Sequence, residues 1–431
     1  MPSATAPLRV PGYRPLLGSY AVNETGDAIG LVALSVLVFD RTDSPMALVA
    51  FFLCARFLPA LAAPAITARL DQLPVRRALP ALYALEAVCF LALAALVPHF
   101  SLPLVLVLAL LDGTLALVGR GISRGAIASI LSTRGLLREG NALVNVAFGL
   151  ASVVGLAAGG VLVSAATLQV ALVVDAASFA LIAAGLAVCR TLPPGTREEA
   201  RQAFRARLRA GLQLARRDRL IGPLVAWEGL AFVFFALVIP IEVVYVEETL
   251  GASAGVLGAL LACWSGGILL GSLAYVRVSR APALALVLGS SAAVGAGYVG
   301  MGLSRTVLLA CVFSVVGGLG NGIQWVSVVT LAQERTPPDY QARISGLLES
   351  VAAAAPAVGF LLGGLLTTLA TPSAAYLTAG GGVLVLVLAA AVLGRRRFSA
   401  ASDLDDDRDD HRSPLELVVD ERGEVVVQQP L

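Results

Sequence analysis

The chain reads as twelve apolar runs separated by short polar joins. In the first half they lie at roughly 15–38, 45–68, 79–97, 102–123, 141–164 and 168–189. In the second half they lie at roughly 221–246, 253–276, 281–303, 306–331, 344–369 and 373–393. Each is about 20 residues or slightly longer, the length an α-helix needs to cross a bilayer at about 1.5 Å per residue. Pro, Gly and charged residues mark the joins. The pattern predicts an all-α integral membrane protein with 12 transmembrane helices. An even number of crossings places both chain ends on one side.

Composition agrees with the pattern. Of 431 residues, 58% are hydrophobic and only 14% charged, with mean hydropathy +0.84. A soluble domain carries about 25% charged residues, so an ordinary soluble enzyme is excluded. The Pro-rich start and the long, acid-bearing first run do not match a cleavable signal peptide of the usual form. The basic residues are all arginine. Arg41 and Arg305 fall in loops of one face and Arg56 within a run. Nearly all the others lie at the termini, in the opposite loops or at the helix ends beside them. By the positive-inside rule the arginine-rich face, with both termini, is cytoplasmic. A multi-pass membrane location is expected. The net charge of +2 points to no partner, and no nucleic-acid binding is expected.

Residues 190–220 depart from their surroundings. They hold nine arginines together with Glu198, Glu199 and Asp218, and Phe204, Leu208 and Leu212 recur along one helical face. An amphipathic cytoplasmic segment on the membrane surface is expected there. The domain plan is therefore an N-terminal six-helix bundle over 1–193, a linker over 194–219, a C-terminal six-helix bundle over 220–397 and an acidic cytoplasmic tail over 398–431. The tail holds Asp403, Asp405, Asp406, Asp407, Asp409 and Asp410 and is expected to be mostly disordered. Leu415–Val419 and Glu424–Gln428 read as a marginal hairpin.

The halves align at a constant shift of 204 residues. Gly155, Gly159 and Gly160 fall on Gly359, Gly363 and Gly364, Glu24 on Glu228, and Arg76 on Arg280. Six crossings separate equivalent positions, so the repeats share one orientation and predict two parallel, pseudo-symmetric bundles. The glycine segments allow close helix packing, because glycine has no side chain.

Between the second and third runs lies a short charged hinge with Asp71, a turn at Pro74, and Arg76 and Arg77. It resembles the loop between the second and third helices of major facilitator superfamily transporters, particularly the bacterial exporter branch. Thr67, Gln72 and Val75 depart from that pattern. The segment around Gly155 and Gly160 resembles the fifth-helix motif of antiporters in the same family, without its proline. The resemblance implies alternating access, a cytoplasmic gate at Asp71, Arg76 and Arg77, and a cavity lined mainly by helices one, four, seven and ten.

Ionisable groups inside membrane spans are costly and usually face a cavity. Here span one carries Asn23, Glu24 and Asp27, with Tyr20 on the same face. Span two carries Arg56, span three Glu86, span four Asp112 and Arg120, and span six Asp175. Span seven carries Trp227, Glu228 and, near its outer end, Glu242. Span ten carries Asn321 and Gln324. An acid sealed from water favours its neutral form, so it can take and release protons. Asp27, Glu24, Asp112 and Glu228 are the candidates for proton coupling. Tyr20, Asn23, Arg120, Trp227, Asn321 and Gln324 are the candidates for a substrate cavity, with Arg56 as charge partner. Arg120 resembles the fourth-helix arginine of many proton antiporters. Glu86 and Asp175 lie off the lining helices and read first as structural.

Five cysteines, all inside apolar runs, lack metal-ligand spacing. The histidines are His99 and His411, and there is no Walker A sequence. Neither a metal, a cofactor nor ATP drive is expected. The expected function is proton-coupled efflux of an amphipathic small molecule by a monomer in the lipid bilayer. An importer or lipid flippase on the same fold, or a membrane-embedded sensor or enzyme, remain alternatives.

Overall fold

In the computed structural model, described residues are 5–62, 66, 74–189, 192, 221–253, 255–278, 281–334, 338–410, 416–419 and 425–428. Asp71 and nearly all of the basic segment 190–220 lie outside them. Twelve long helices run in chain order. They are α1 Tyr13–Thr42, α2 Pro45–Ala62, α3 Val75–Leu96, α4 Leu102–Ser132, α5 Leu137–Ala165 and α6 Leu168–Val188. Then follow α7 Ile221–Ala236 with a broken continuation to Thr249, α8 Gly255–Val278, α9 Ala283–Leu303, α10 Val307–Glu334, α11 Pro338–Leu369 and α12 Pro372–Asp410. Eleven helical segments are long and apolar enough to cross a membrane, and α11 adds the shorter apolar stretch Ala354–Leu369.

Many large apolar side chains face outward, among them Leu181 at 71% and Leu308 at 75% exposure. A water-facing surface seldom shows so much apolar area, whereas a bilayer requires it. Conversely, among the eleven span segments those of α1 and α7 are the most enclosed. Buried residues make up 78% and 61% of their apolar stretches, against 28% in α5 and α8. The costly carboxyls of spans one and seven thus ride on the two most enclosed of these segments.

In the first half α1 packs on α5 and α6, and α3 on α4 and α6. In the second, α7 packs on α11, and α10 on α8 and α9. The halves meet where α5 lies on α8 and α2 on α11. Glycine decides both kinds of contact. A Cβ on Gly155 would fall 2.5 Å from the Thr25 carbonyl oxygen, and one on Gly159 3.1 Å from Ile29 Cα, so both face α1. Gly359 and Gly363 face α7 at Ala236 and Leu237 in the same way. Gly160 instead faces Gly255 and Gly258 of α8, and Gly364 faces Met46 and Val49 of α2. Each repeat thus uses two glycines to close its own bundle and a third to close the seam with the other bundle. Both seams lie toward the membrane face opposite the N-terminus.

The join between α1 and α2 is short. Asp43 takes the left-handed conformation at φ 47°, and the Ser44 hydroxyl accepts a hydrogen bond from the Ala47 amide at 3.3 Å. That cap starts α2 at Pro45, where a missing amide hydrogen costs nothing.

By its contacts the chain divides into two units, Met1–Leu384 and Val385–Leu431. In the second unit α12 continues through Asp410, so residues 398–410, expected from charge to lack structure, are helical here. Extending an existing helix fixes one residue per added hydrogen bond and needs no new nucleus. Strands β1 Glu416–Val419 and β2 Val425–Gln428 pair antiparallel, Glu416 opposite Gln428.

Candidate functional site

Tyr20, Asn23, Glu24 and Asp27 share one face of α1 by helical spacing. That face meets α4 at Arg120. The Arg120 Nη1 donates to Glu24 Oε1 at 3.2 Å and Oε2 at 3.3 Å, and to Asp27 Oδ2 at 3.2 Å. Asn23 Nδ2 donates to the same Asp27 oxygen at 3.2 Å. The three ionic side chains retain 17%, 5% and 10% exposure for Arg120, Glu24 and Asp27. Removing one member of such a buried set typically costs about 3–5 kcal/mol, because the remaining charge is stranded. One turn further along α4, Arg124 donates to the Tyr20 hydroxyl at 3.0 Å and lies 5.8 Å from its ring centroid. Arg124 was not singled out from sequence, since it falls where basic residues crowd the cytoplasmic helix ends.

Next to this set α2 takes one wide π turn, Leu53–Phe57, which carries Arg56. Such turns insert an extra residue and recur at functional sites. Gly113 of α4 sits against the turn. A Cβ there would lie 2.9 Å from Pro59 Cγ and 3.0 Å from the Ala55 carbonyl carbon. A cavity of about 120 Å³ remains between the helices, with Asp27, Arg56, Asp112 and Arg120 in its wall. The rest of its wall is apolar, so these four charged side chains are its polar contacts, and it is large enough for several waters. Arg56 makes no ion pair within 4.0 Å among the described residues. From sequence Arg56 is the expected charge partner, with Arg120 also open as the cation for the span-one acids; in the structure the cation on Glu24 and Asp27 is Arg120. Asp112 Oδ1 has no hydrogen-bond partner.

Two more acids close the group. Glu86 of α3 is fully buried, and neither carboxyl oxygen has a partner. Asp175 of α6 lies against the backbone of α1, where a Cβ on Gly30 would come within 2.5 Å of Asp175 Oδ2. Its other oxygen accepts from the Ser178 hydroxyl at 3.4 Å.

The second half repeats the central contact with an amide in place of the guanidinium. Gln324 Nε2 of α10 donates to Glu228 Oε1 and Oε2 of α7 at 2.9 and 3.0 Å, and both residues are buried. The 204-residue shift carries Glu24 to Glu228 and Arg120 to Gln324, and 96 residues separate the partners in both pairs. The other charges have no counterpart. The same shift sets Ala231 at Asp27, Leu260 at Arg56, Ser290 at Glu86, Val316 at Asp112 and Ala379 at Asp175. The first half concentrates charge, and of these central groups the second keeps one acid–amide pair.

A second cavity of about 310 Å³ is lined from α1, α2, α7, α8, α9, α10 and α11, and Asn321 is in its wall. Trp227 is half-buried and lines neither cavity. Of the loop motif, Arg76 and Arg77 are exposed in the first turn of α3.

The sequence model of the Major Facilitator Superfamily matches residues 16–355 and 229–425. The chain belongs to the Major Facilitator Superfamily. Among solved structures, the nucleoside transporter NupG is similar at TM-score 0.69 and 13% identity, covering 88% of this chain and 97% of that one. A POT family transporter in complex with 5-aminolevulinic acid is similar at TM-score 0.69 and 12% identity, covering 90% and 96%. A D-xylose-proton symporter is similar at TM-score 0.65 and 15% identity, covering 87% and 96%. At these identities the likeness is one of fold. No curated protein matches the chain. This Major Facilitator Superfamily member is a multi-pass membrane transporter and not an enzyme.

Proposed function

We propose that this transporter couples proton entry to the export of an amphipathic small molecule across a bacterial inner membrane. The bundles 1–193 and 220–397 would rock about the central polar groups, with both termini and the linker cytoplasmic and the protein working as a monomer. The observation that carries the proposal is the imbalance of charge in the first half. Five carboxyls, Glu24, Asp27, Glu86, Asp112 and Asp175, share the interior with two guanidinium groups, Arg56 and Arg120. Full ionisation would leave an excess of three negative charges there. An unpaired charge in a low-dielectric interior costs several kcal/mol, so the cluster favours holding protons. Arg120 already binds two acids at once. A proton on Asp27 would leave Arg120 to Glu24, and release of that proton would restore the bridge. This is a local event that both proton and conformation can bias.

The export direction is supported by the resemblance of the Asp71, Arg76 and Arg77 loop to the exporter branch. The test is uptake of a fluorescent dye panel into everted vesicles, with and without an inward-acid gradient. Uptake of at least one dye that a protonophore abolishes is expected. Uptake of every transported dye at the same rate without a gradient would overturn proton coupling.

A further inference from the structure

We infer that the 310 Å³ cavity is a binding site for a monovalent organic cation with an aromatic or branched apolar body, and that Glu242 is its counter-ion. The inference rests on the transport reading above and names the class of molecule carried.

Three observations converge on it. The first is the backbone. Span seven does not continue as one helix. After Ala236 it passes through a turn at Leu237–Val238 and a 3₁₀ segment, Ile239–Ile241. A single helical turn restarts at Glu242 and runs into a π turn, Tyr245–Thr249. Pro240 lacks the amide hydrogen that would continue the ladder. Non-helical backbone at membrane depth is tolerated where it lines a cavity, and broken helices recur at transporter binding sites. The break presents Glu242 to the cavity wall.

The second is the state of Glu242. It is half-buried and forms neither a hydrogen bond nor an ion pair among the described residues. Tyr298, in the same cavity wall, donates its hydroxyl to the Phe235 carbonyl at 3.2 Å instead. No described arginine lines this cavity, in contrast to the smaller one.

The third is the wall itself. Phe52, Phe232, Phe235, Trp264 and Tyr298 face the space. Trp264 and Tyr298 stack with centroids 4.9 Å apart and planes 8° apart. Phe232 stands edge-on to Trp325 at 5.8 Å. Gly317 and Gly318 of α10 seat the Trp264 ring and backbone, so the wall is fixed by packing. Aromatic faces attract cations, and an acid alone among them lacks a partner of opposite charge. The volume is at the lower end of small-molecule pockets. The cavity thus offers one acid, Glu242, to one positive group.

The test uses two ions of the same shape and opposite sign, tetraphenylphosphonium and tetraphenylborate. Equilibrium dialysis is performed with the full chain in phosphatidylcholine nanodiscs, without any gradient, and empty nanodiscs are subtracted. Saturable phosphonium binding is expected, with the borate at least about tenfold weaker. Glu242→Gln should weaken the phosphonium at least about tenfold and leave the borate no weaker. Equal affinity for the two ions in the wild-type chain, or unchanged phosphonium affinity in Glu242→Gln, would overturn the inference. Should Glu242→Gln fail to purify as a monodisperse species, the wild-type ion pair and Trp264→Leu decide. Loss of phosphonium binding in Trp264→Leu supports the site, and full retention refutes it. Binding needs no proton gradient. A chain that binds the phosphonium but does not move it against a gradient keeps the site and loses the coupling reading.

Discussion

The seam between α5 and α8 allows a conformational prediction from distances alone. A Cβ on Gly258 would lie 2.6 Å from both the Cα and the amide nitrogen of Gly160, and one on Gly160 2.9 Å from Gly258 Cα. Ordinary carbon contacts begin near 3.5 Å, so Gly258→Ala forces the helices apart by about 0.9 Å or displaces their backbone. Overpacking of this kind costs about 1–3 kcal/mol. That cost falls on the conformation in which the seam is closed and is absent when the halves separate there. The ratio of the two states should shift by about five- to 150-fold. The assay is a distance distribution between spin labels at Ala166→Cys and Thr306→Cys, in the outer loops of the two halves, in a background lacking the five native cysteines. Gly258→Ala should raise the ratio of long- to short-distance populations at least about fivefold. Gly266→Ala is the control, because a Cβ there meets nothing within 4 Å. An unchanged distribution in a Gly258→Ala protein that elutes like the wild type would refute the reasoning.

The remaining expectations concern buried polar groups. Glu86→Gln should match the wild type in thermal unfolding, since it keeps the size and shape of a fully buried side chain whose oxygens have no partner, whereas Glu86→Ala should lose about 2–5 kcal/mol to the cavity it leaves; collapse of the Gln variant would refute this. Gln324→Leu strands the Glu228 carboxyl and should cost about 1–3 kcal/mol in thermal unfolding, a loss that Glu228→Leu in the same chain should reverse. Gly30→Ala drives a methyl group against Asp175 and Phe90 and should lower folded yield, whereas Gly18→Ala, with open space around it, should not; equal yields would remove the close fit of α1 on α6.

The membrane class and the helix count were legible from apolar runs alone, because a run of about 20 apolar residues has few other uses. The position of the polar centre was partly legible. Spacing puts Glu24 and Asp27 on one face of α1, but depth could not choose between Arg56 and Arg120 as the cation for Asp27. That choice depends on the π turn at Leu53–Phe57 and its fit against Gly113, and neither has a periodic signature. The relation of Arg120 to Gln324 lay in the same 204-residue shift that matches Glu24 with Glu228. It becomes visible only when contacts show that the two acids use equivalent partners. Pro240 was a readable signal for the break in span seven. Periodicity alone carries an apolar run straight through it. The aromatic wall is drawn from several helices, and no linear spacing records that convergence.

The central claim is that span one carries the coupled proton. It is tested by reconstituting the wild type and the Asp27→Asn, Glu24→Gln double variant in proteoliposomes that contain a pH-sensitive dye, then imposing a gradient of a transported dye. In the wild type, substrate movement should drive opposite proton movement, and an imposed proton gradient should drive uphill transport. In the double variant both should vanish while downhill substrate exchange persists. Undiminished proton-driven transport in the double variant would contradict the account and move the coupling site to Asp112 and Glu228.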